Sequence, residues 1–171
     1  MSDESKAPEG TGASAEHDHD RIFLVVVDET EEMRVALRYA SMRARHTGGR
    51  VALLYVIEPS DFQHWKAVGD LMREEARSEG EQLLQRLAAQ VNDLAGKIPI
   101  LHVREGKVRD ELFKLMEEEP SLSILVLGAN TGSRGPGPLV SALTGKMIGK
   151  LSIPLTIVPG NLSDEAVDAI A

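Results

Sequence analysis

Cysteine is absent from this 171-residue chain, which excludes a disulfide framework and any thiolate metal or redox site. Stability must therefore come from packing, and the 42% hydrophobic content suffices for one core of ordinary size. Long apolar runs are also lacking. None approaches the ~20 residues that span a bilayer, and the N-terminus does not follow the basic-then-apolar layout of a signal peptide. The expectation is a cytoplasmic protein with no membrane partner. A basic excess is missing too, since the formal charge is -8. The acidity sits at the ends: six acidic side chains against Lys6 in residues 1–20, and Asp164, Glu165 and Asp168 near the other end. Between Arg21 and Gly160, eighteen acidic residues balance eighteen basic ones. A neutral body offers no basic face for a phosphate backbone, so nucleic acid is not an expected partner.

The first twenty residues are rich in Gly, Ser, Pro and acids, with no large apolar side chain after Met1. Too little apolar area is available there to offset ordering entropy, and disorder is expected. His17 and His19 lie in that segment, which provides no preformed metal geometry. From Arg21 the pattern changes to IFLVVVD, a β-branched run of the kind that forms a strand buried on both faces. Met33, Ala36, Leu37, Ala40 and Ala44 then recur at helical spacing up to Gly48-Gly49. VALLYVI (51–57) is a second strand, ending at Glu58-Pro59. Strand, helix and strand make a βαβ unit.

The alternation continues. A long helix is expected from about Phe62 to Leu94, a strand over Ile98–Val103, a short helix from Val108, and a strand over Leu122–Leu127. A helix from about Leu139 to Leu151 and a fifth strand over Ile153–Val158 follow. The predicted fold class is α/β, a single domain over 21–160 with a five-stranded parallel open sheet and helices on both faces. Residues 161–171 are expected to form an acidic tail. Phe62 and Trp65, three apart at a helix start, suit core cover. His46, His64 and His102 fall in no ligand or triad spacing.

Ligands of open parallel sheets bind beyond the carboxyl ends of the strands, where strand order reverses. That directs attention to Val26-Val27-Asp28, to Val56-Ile57-Glu58, to Gly106, and to the loop GANTGSRGPGP holding Gly128, Gly132, Gly135 and Gly137. Glycine lets backbone amides approach an anion such as phosphate; a mobile surface loop without a ligand is the other reading. Thr144-Gly145-Lys146-Met147 does not complete a P-loop, because Val140 stands where glycine is needed and Met147 where Ser or Thr is needed. No G-x-G-x-x-G turn follows the first strand either. Asp28 can accept hydrogen bonds from ribose hydroxyls, or Asp28 or Thr30 can cap the first helix.

These segments resemble the universal stress protein family. The resemblance rests on a buried first strand ending in Asp28, a second strand reading LLYVIE, the spacing Gly132-x-x-Gly135-x9-Gly145, and the ending IPLTIVPG. It covers about residues 21–160 and implies an adenine-nucleotide α-hydrolase-like fold that binds ATP, with or without Mg²⁺. It places Asp28 against the adenosine, Val26 and Val56 at the base, and Gly132, Gly135 and Gly145 around the phosphates, with Gly128 and Lys146 as further cofactor-binding residues. Lys146 stands where the family usually has Ser or Thr, and the loop after Gly128 is about four residues longer. The resemblance further implies a homodimer formed through Ile153–Val158. The expected role is a nucleotide-binding regulatory module in stress response, not an enzyme, with at most weak ATP hydrolysis. The alternative is a non-ATP-binding member acting as a homodimeric protein-interaction module.

Overall fold

The computed structural model describes residues 20–59 and 66–171. Apart from Asp20, the expected disordered segment lies outside the described residues, as do His17, His19, Phe62, His64 and Trp65. The order of elements is β1 (Ile22–Val26), α1 (Glu31–Thr47), β2 (Arg50–Ile57), α2 (Lys66–Ala95), β3 (Ile100–Glu105) and α3 (Val108–Glu118). It continues with β4 (Leu122–Ala129), α4 (Pro138–Thr144), a 3₁₀ turn (Ile148–Lys150), β5 (Leu155–Pro159) and α5 (Asp164–Ile170). The strands form one sheet in the order β3-β2-β1-β4-β5, with every pairing parallel.

Strand periodicity divides the core into two layers. In β1 and β2, Phe23, Val25, Val51 and Leu53 face one side, where they meet Met33, Leu37 and Ala40 of α1 and Leu84, Leu87 and Val91 of α2. Leu24, Ala52 and Leu54 face the other side, with Leu112 and Leu115 of α3 and Leu143 of α4. A strand covered on both faces can carry apolar residues at successive positions, which is why IFLVV and VALLYV lack alternation.

Five segments depart from the sequence expectation, among them β4, which runs on past Leu127 to Ala129, and β5, which begins at Leu155 instead of Ile153 because Pro154 precedes the ladder, and which ends at Pro159. β3 lies two residues later than Ile98–Val103, because Ile98 is 71% exposed and precedes the ladder. The helix expected over 139–151 stops at Thr144 and is followed only by the 3₁₀ turn; Gly145 and Gly149 are poor helix formers placed where continuation would be needed. Residues 161–171 are not simply an acidic tail, since they contain α5. Ser163 caps that helix by accepting from the Ala166 amide at 3.2 Å, and Asp164 and Glu165 occupy its first turn. Val167 is fully buried, while the Arg38 guanidinium on α1 donates to both carboxylate oxygens of Asp168 at 2.8 and 2.7 Å. That hydrogen bonding holds the Asp168 carboxyl below its usual range, with the Arg38 charge adding to the effect.

Candidate functional site

β1 is the element from which the chain departs in both directions, first to β2 and β3, then across to β4 and β5. Beyond its carboxyl end lies a cavity of about 670 Å³, within the range of roughly 300–1,000 Å³ found for small-molecule sites. Val26, Asp28, Met33, Gly128, Pro138 and Val140 are among its lining residues.

The β1–α1 turn is built by local hydrogen bonds. Asp28 Oδ1 accepts from the Thr30 amide at 2.8 Å and from Thr30 Oγ1 at 2.6 Å. Thr30 Oγ1 in turn accepts from the Met33 amide at 3.2 Å, which makes Thr30 the cap of α1. Asp28 therefore orients the capping residue and also borders the cavity. A second link comes from Glu58, whose Oε1 accepts from the Val108 amide at 3.3 Å, joining the end of β2 to the start of α3.

Gly128 owes its identity to packing. A Cβ there would overlap the carbonyl group of Glu32 in the first turn of α1, so only glycine permits this approach of helix to strand. Gly135 adopts φ +82°, with open space where a side chain would project. The loop around it is closed on itself. The Asn130 amide donates to the Pro136 carbonyl at 3.3 Å, and the Gly132 amide donates to Asn130 Oδ1 at 2.8 Å. The Gly135 amide donates to the Gly132 carbonyl at 3.3 Å.

Of the residues singled out in the sequence, the fold brings Val26, Asp28 and Gly128 together around the cavity. Val56 packs in the core layer beneath α3 and α4 and is not part of the lining. Gly132, Gly135, Gly145 and Lys146 also lie outside the lining. Gly145 follows the last turn of α4, where its amide donates to the Ser141 carbonyl at 3.2 Å. Pro138 explains this placement, because proline at the first helical position starts α4 well before Gly145.

Sequence reasoning missed two cations in the lining, Lys107 and Arg109. The available signal was Lys-Val-Arg directly after Gly106, at the carboxyl end of a strand. Among the described residues, no group of three or more His, Asp or Glu side chains converges as a metal site. No described helix is long and apolar enough to cross a membrane.

The model of the universal stress protein family matches residues 21–159. No curated protein sequence matches the chain. Among solved structures, UspA from Lactobacillus plantarum is similar with a TM-score of 0.69 and 15% identity, over 81% of this chain and 97% of that one. A universal stress protein family protein from Arabidopsis thaliana, solved with AMP bound, has a TM-score of 0.56 and 16% identity, over 85% and 94% of the two chains. A universal stress protein in complex with cAMP has a TM-score of 0.52 and 16% identity, over 81% and 96%. At these identities the structural likeness is one of fold. The family match extends from β1 to the end of β5, and on that ground this protein belongs to the universal stress protein family.

Proposed function

We propose that this protein is a cytoplasmic adenine-nucleotide-binding regulatory module in stress response, working as a homodimer without dedicated turnover of its ligand. The observation that carries this reading is the cavity at the carboxyl end of β1, with Val26, Asp28 and Gly128 in its lining. Thr30 holds Asp28 through Oδ1, which leaves Oδ2 to accept from a ribose hydroxyl, as acidic residues do in related open sheets. Structural neighbours with AMP and cAMP add support for an adenine ligand.

The edge position of β5, which pairs with β4 alone among the described strands, supports the dimer reading. An uncovered edge presents free amides and carbonyls, and a second copy can satisfy them about a two-fold axis. Ile157 on that edge is 39% exposed.

One observation favours the second reading, a member that binds no nucleotide and acts through protein contacts. The amides of Gly132, Gly135 and Gly145 are all engaged within their own loop or helix end. Denaturing the purified protein and identifying released nucleotide by mass spectrometry, followed by calorimetric titration with adenosine and AMP, separates the two. Release or binding of an adenine ligand is expected. Absence of both would leave the protein-contact reading standing.

A further inference from the structure

Acidic residues are missing from one long part of the chain. Between Glu119 and Asp164, a stretch that holds β4, α4, the 3₁₀ turn and β5, there is no aspartate or glutamate, and the cations are Arg134, Lys146 and Lys150. All three are exposed. Elsewhere basic side chains find carboxylates, as Arg38 does at Asp168, Arg73 at Glu105, Arg104 at Glu118 and Lys114 at Glu111. Among the described residues, none of these three cations does so. Lys146 and Lys150 flank Ile148, which is 60% exposed, and this turn stands outside the cavity lining. The neutral total of the body conceals a local basic surface.

We infer that this surface is covered by the acidic N-terminal segment of the same chain, residues 1–19, held by charge at Lys146 and Lys150. Charge and position both argue for that occupant. The segment carries Asp3, Glu4, Glu9, Glu16 and Asp18 against Lys6. It joins the domain at Asp20, before the amino end of β1, where Asp20 lies 3.5 Å from Lys97 Nζ. The 3₁₀ turn lies toward the same end, because it stands between the last turn of α4 and the start of β5, and Leu155 is level with Leu125 and hence with Leu24. Only β4 separates β1 from β5, so the two strands run ~10 Å apart, at ~4.8 Å per strand spacing. Residues 1–19 can span up to ~60 Å when extended. Reach is therefore ample. A tether also keeps the segment at an effective concentration of about millimolar, which lets several exposed ion pairs, weak one by one, hold it without apolar burial. Contact of this kind is screened by salt.

The absence of cysteine allows the test to be made on the full chain. Ser14→Cys takes a single nitroxide label, and the loss of backbone amide signals by paramagnetic relaxation locates the segment on the domain. At low salt the loss should be greatest from Gly145 to Leu151, and it should vanish at about 1 M salt, where the Debye length is ~3 Å. Lys146→Glu/Lys150→Glu should abolish it as well; both side chains are exposed, and thermal melting checks that this variant is folded. Neutralising the segment instead, by Glu9→Gln/Glu16→Gln/Asp18→Asn, leaves the domain untouched and should have the same effect. Loss centred elsewhere, loss that survives high salt or either set of substitutions, or no loss at all overturns the inference. Mixing the nitroxide-labelled chain with an isotope-labelled chain that has no nitroxide separates the two sources of the segment. No loss is expected in the isotope-labelled chain, and a loss there would assign the cover to a second copy and overturn the inference too.

Discussion

Replacing Gly128 by alanine tests how tightly the fold and the cavity are joined. The added methyl would overlap the carbonyl carbon and oxygen of Glu32 and stand 3.0 Å from its Cβ. A flexible side chain could turn aside, but these are atoms of α1, whose first turn is fixed by the Thr30 cap. The helix must therefore move off β4 as a body. Overpacking of this kind costs ~1–3 kcal/mol, and the upper end applies because backbone has to yield. In a domain of this size each kcal/mol lowers Tm by roughly 2–4 °C, so a fall of about 6–12 °C is expected. Glu32, Met33 and Gly128 all line the cavity, so nucleotide affinity should drop as well. Gly135→Ala is the control. It meets open space and incurs only the left-handed backbone penalty at φ +82°, ~1–2 kcal/mol in an exposed loop. Differential scanning calorimetry of both variants decides the matter. If Gly128→Ala melts no lower than Gly135→Ala, close packing of α1 on β4 is not what requires glycine at 128.

Val167→Ala should destabilise the protein by ~1.5–2.5 kcal/mol in urea unfolding, from two lost methyl groups and the space they leave under α5; an unchanged midpoint would mean that α5 is not docked. His102 is held below the ordinary histidine value of 6.5, chiefly by burial, with the Arg104 charge adding and Glu119 opposing. The unfolded chain then takes up the proton first as pH falls, so stability should decline from about pH 6.5 downward until the folded histidine also protonates. His102→Gln should flatten that part of the urea-midpoint profile, and a profile that keeps its slope would assign it to other groups. Ile157→Lys on the β5 edge should shift a dimer to folded monomers in sedimentation velocity, with Tm falling only by the stabilisation that association supplied, whereas Val158 is only 2% exposed and belongs to the core. A wild type that is already monomeric at high concentration would refute the edge pairing.

The legible elements were those whose own residues carry the whole cause. β1, β2 and β4 are covered on both faces, so each appears in the sequence as a largely apolar run; Asp28 and Glu58 follow the first two, whereas β4 continues through Gly128 to Ala129. β3 lies at an edge of the sheet, and its neighbour Ile98 is apolar yet exposed, so its start was misread by two residues. α5 has one fully buried side chain, Val167, and an ion pair to Arg38 that crosses 130 positions of sequence. Nothing within the segment itself announces that partner. Lys107 and Arg109 were passed over for a related reason, since exposed cations on a helix usually face solvent. Their significance comes from the topology that turns the β3–α3 connection toward the end of β1.

The glycine spacing shows where a local pattern stops being informative. Gly132-x-x-Gly135-x9-Gly145 identifies positions where backbone can be approached, but not the direction in which the amides point. Direction is set by where the helix begins, and Pro138 begins it early, so that Gly145 terminates α4 instead of opening it. An amide at the end of a helix is already paired with a carbonyl of the preceding turn, as the Gly145 amide is with Ser141. It cannot serve an anion without breaking that bond.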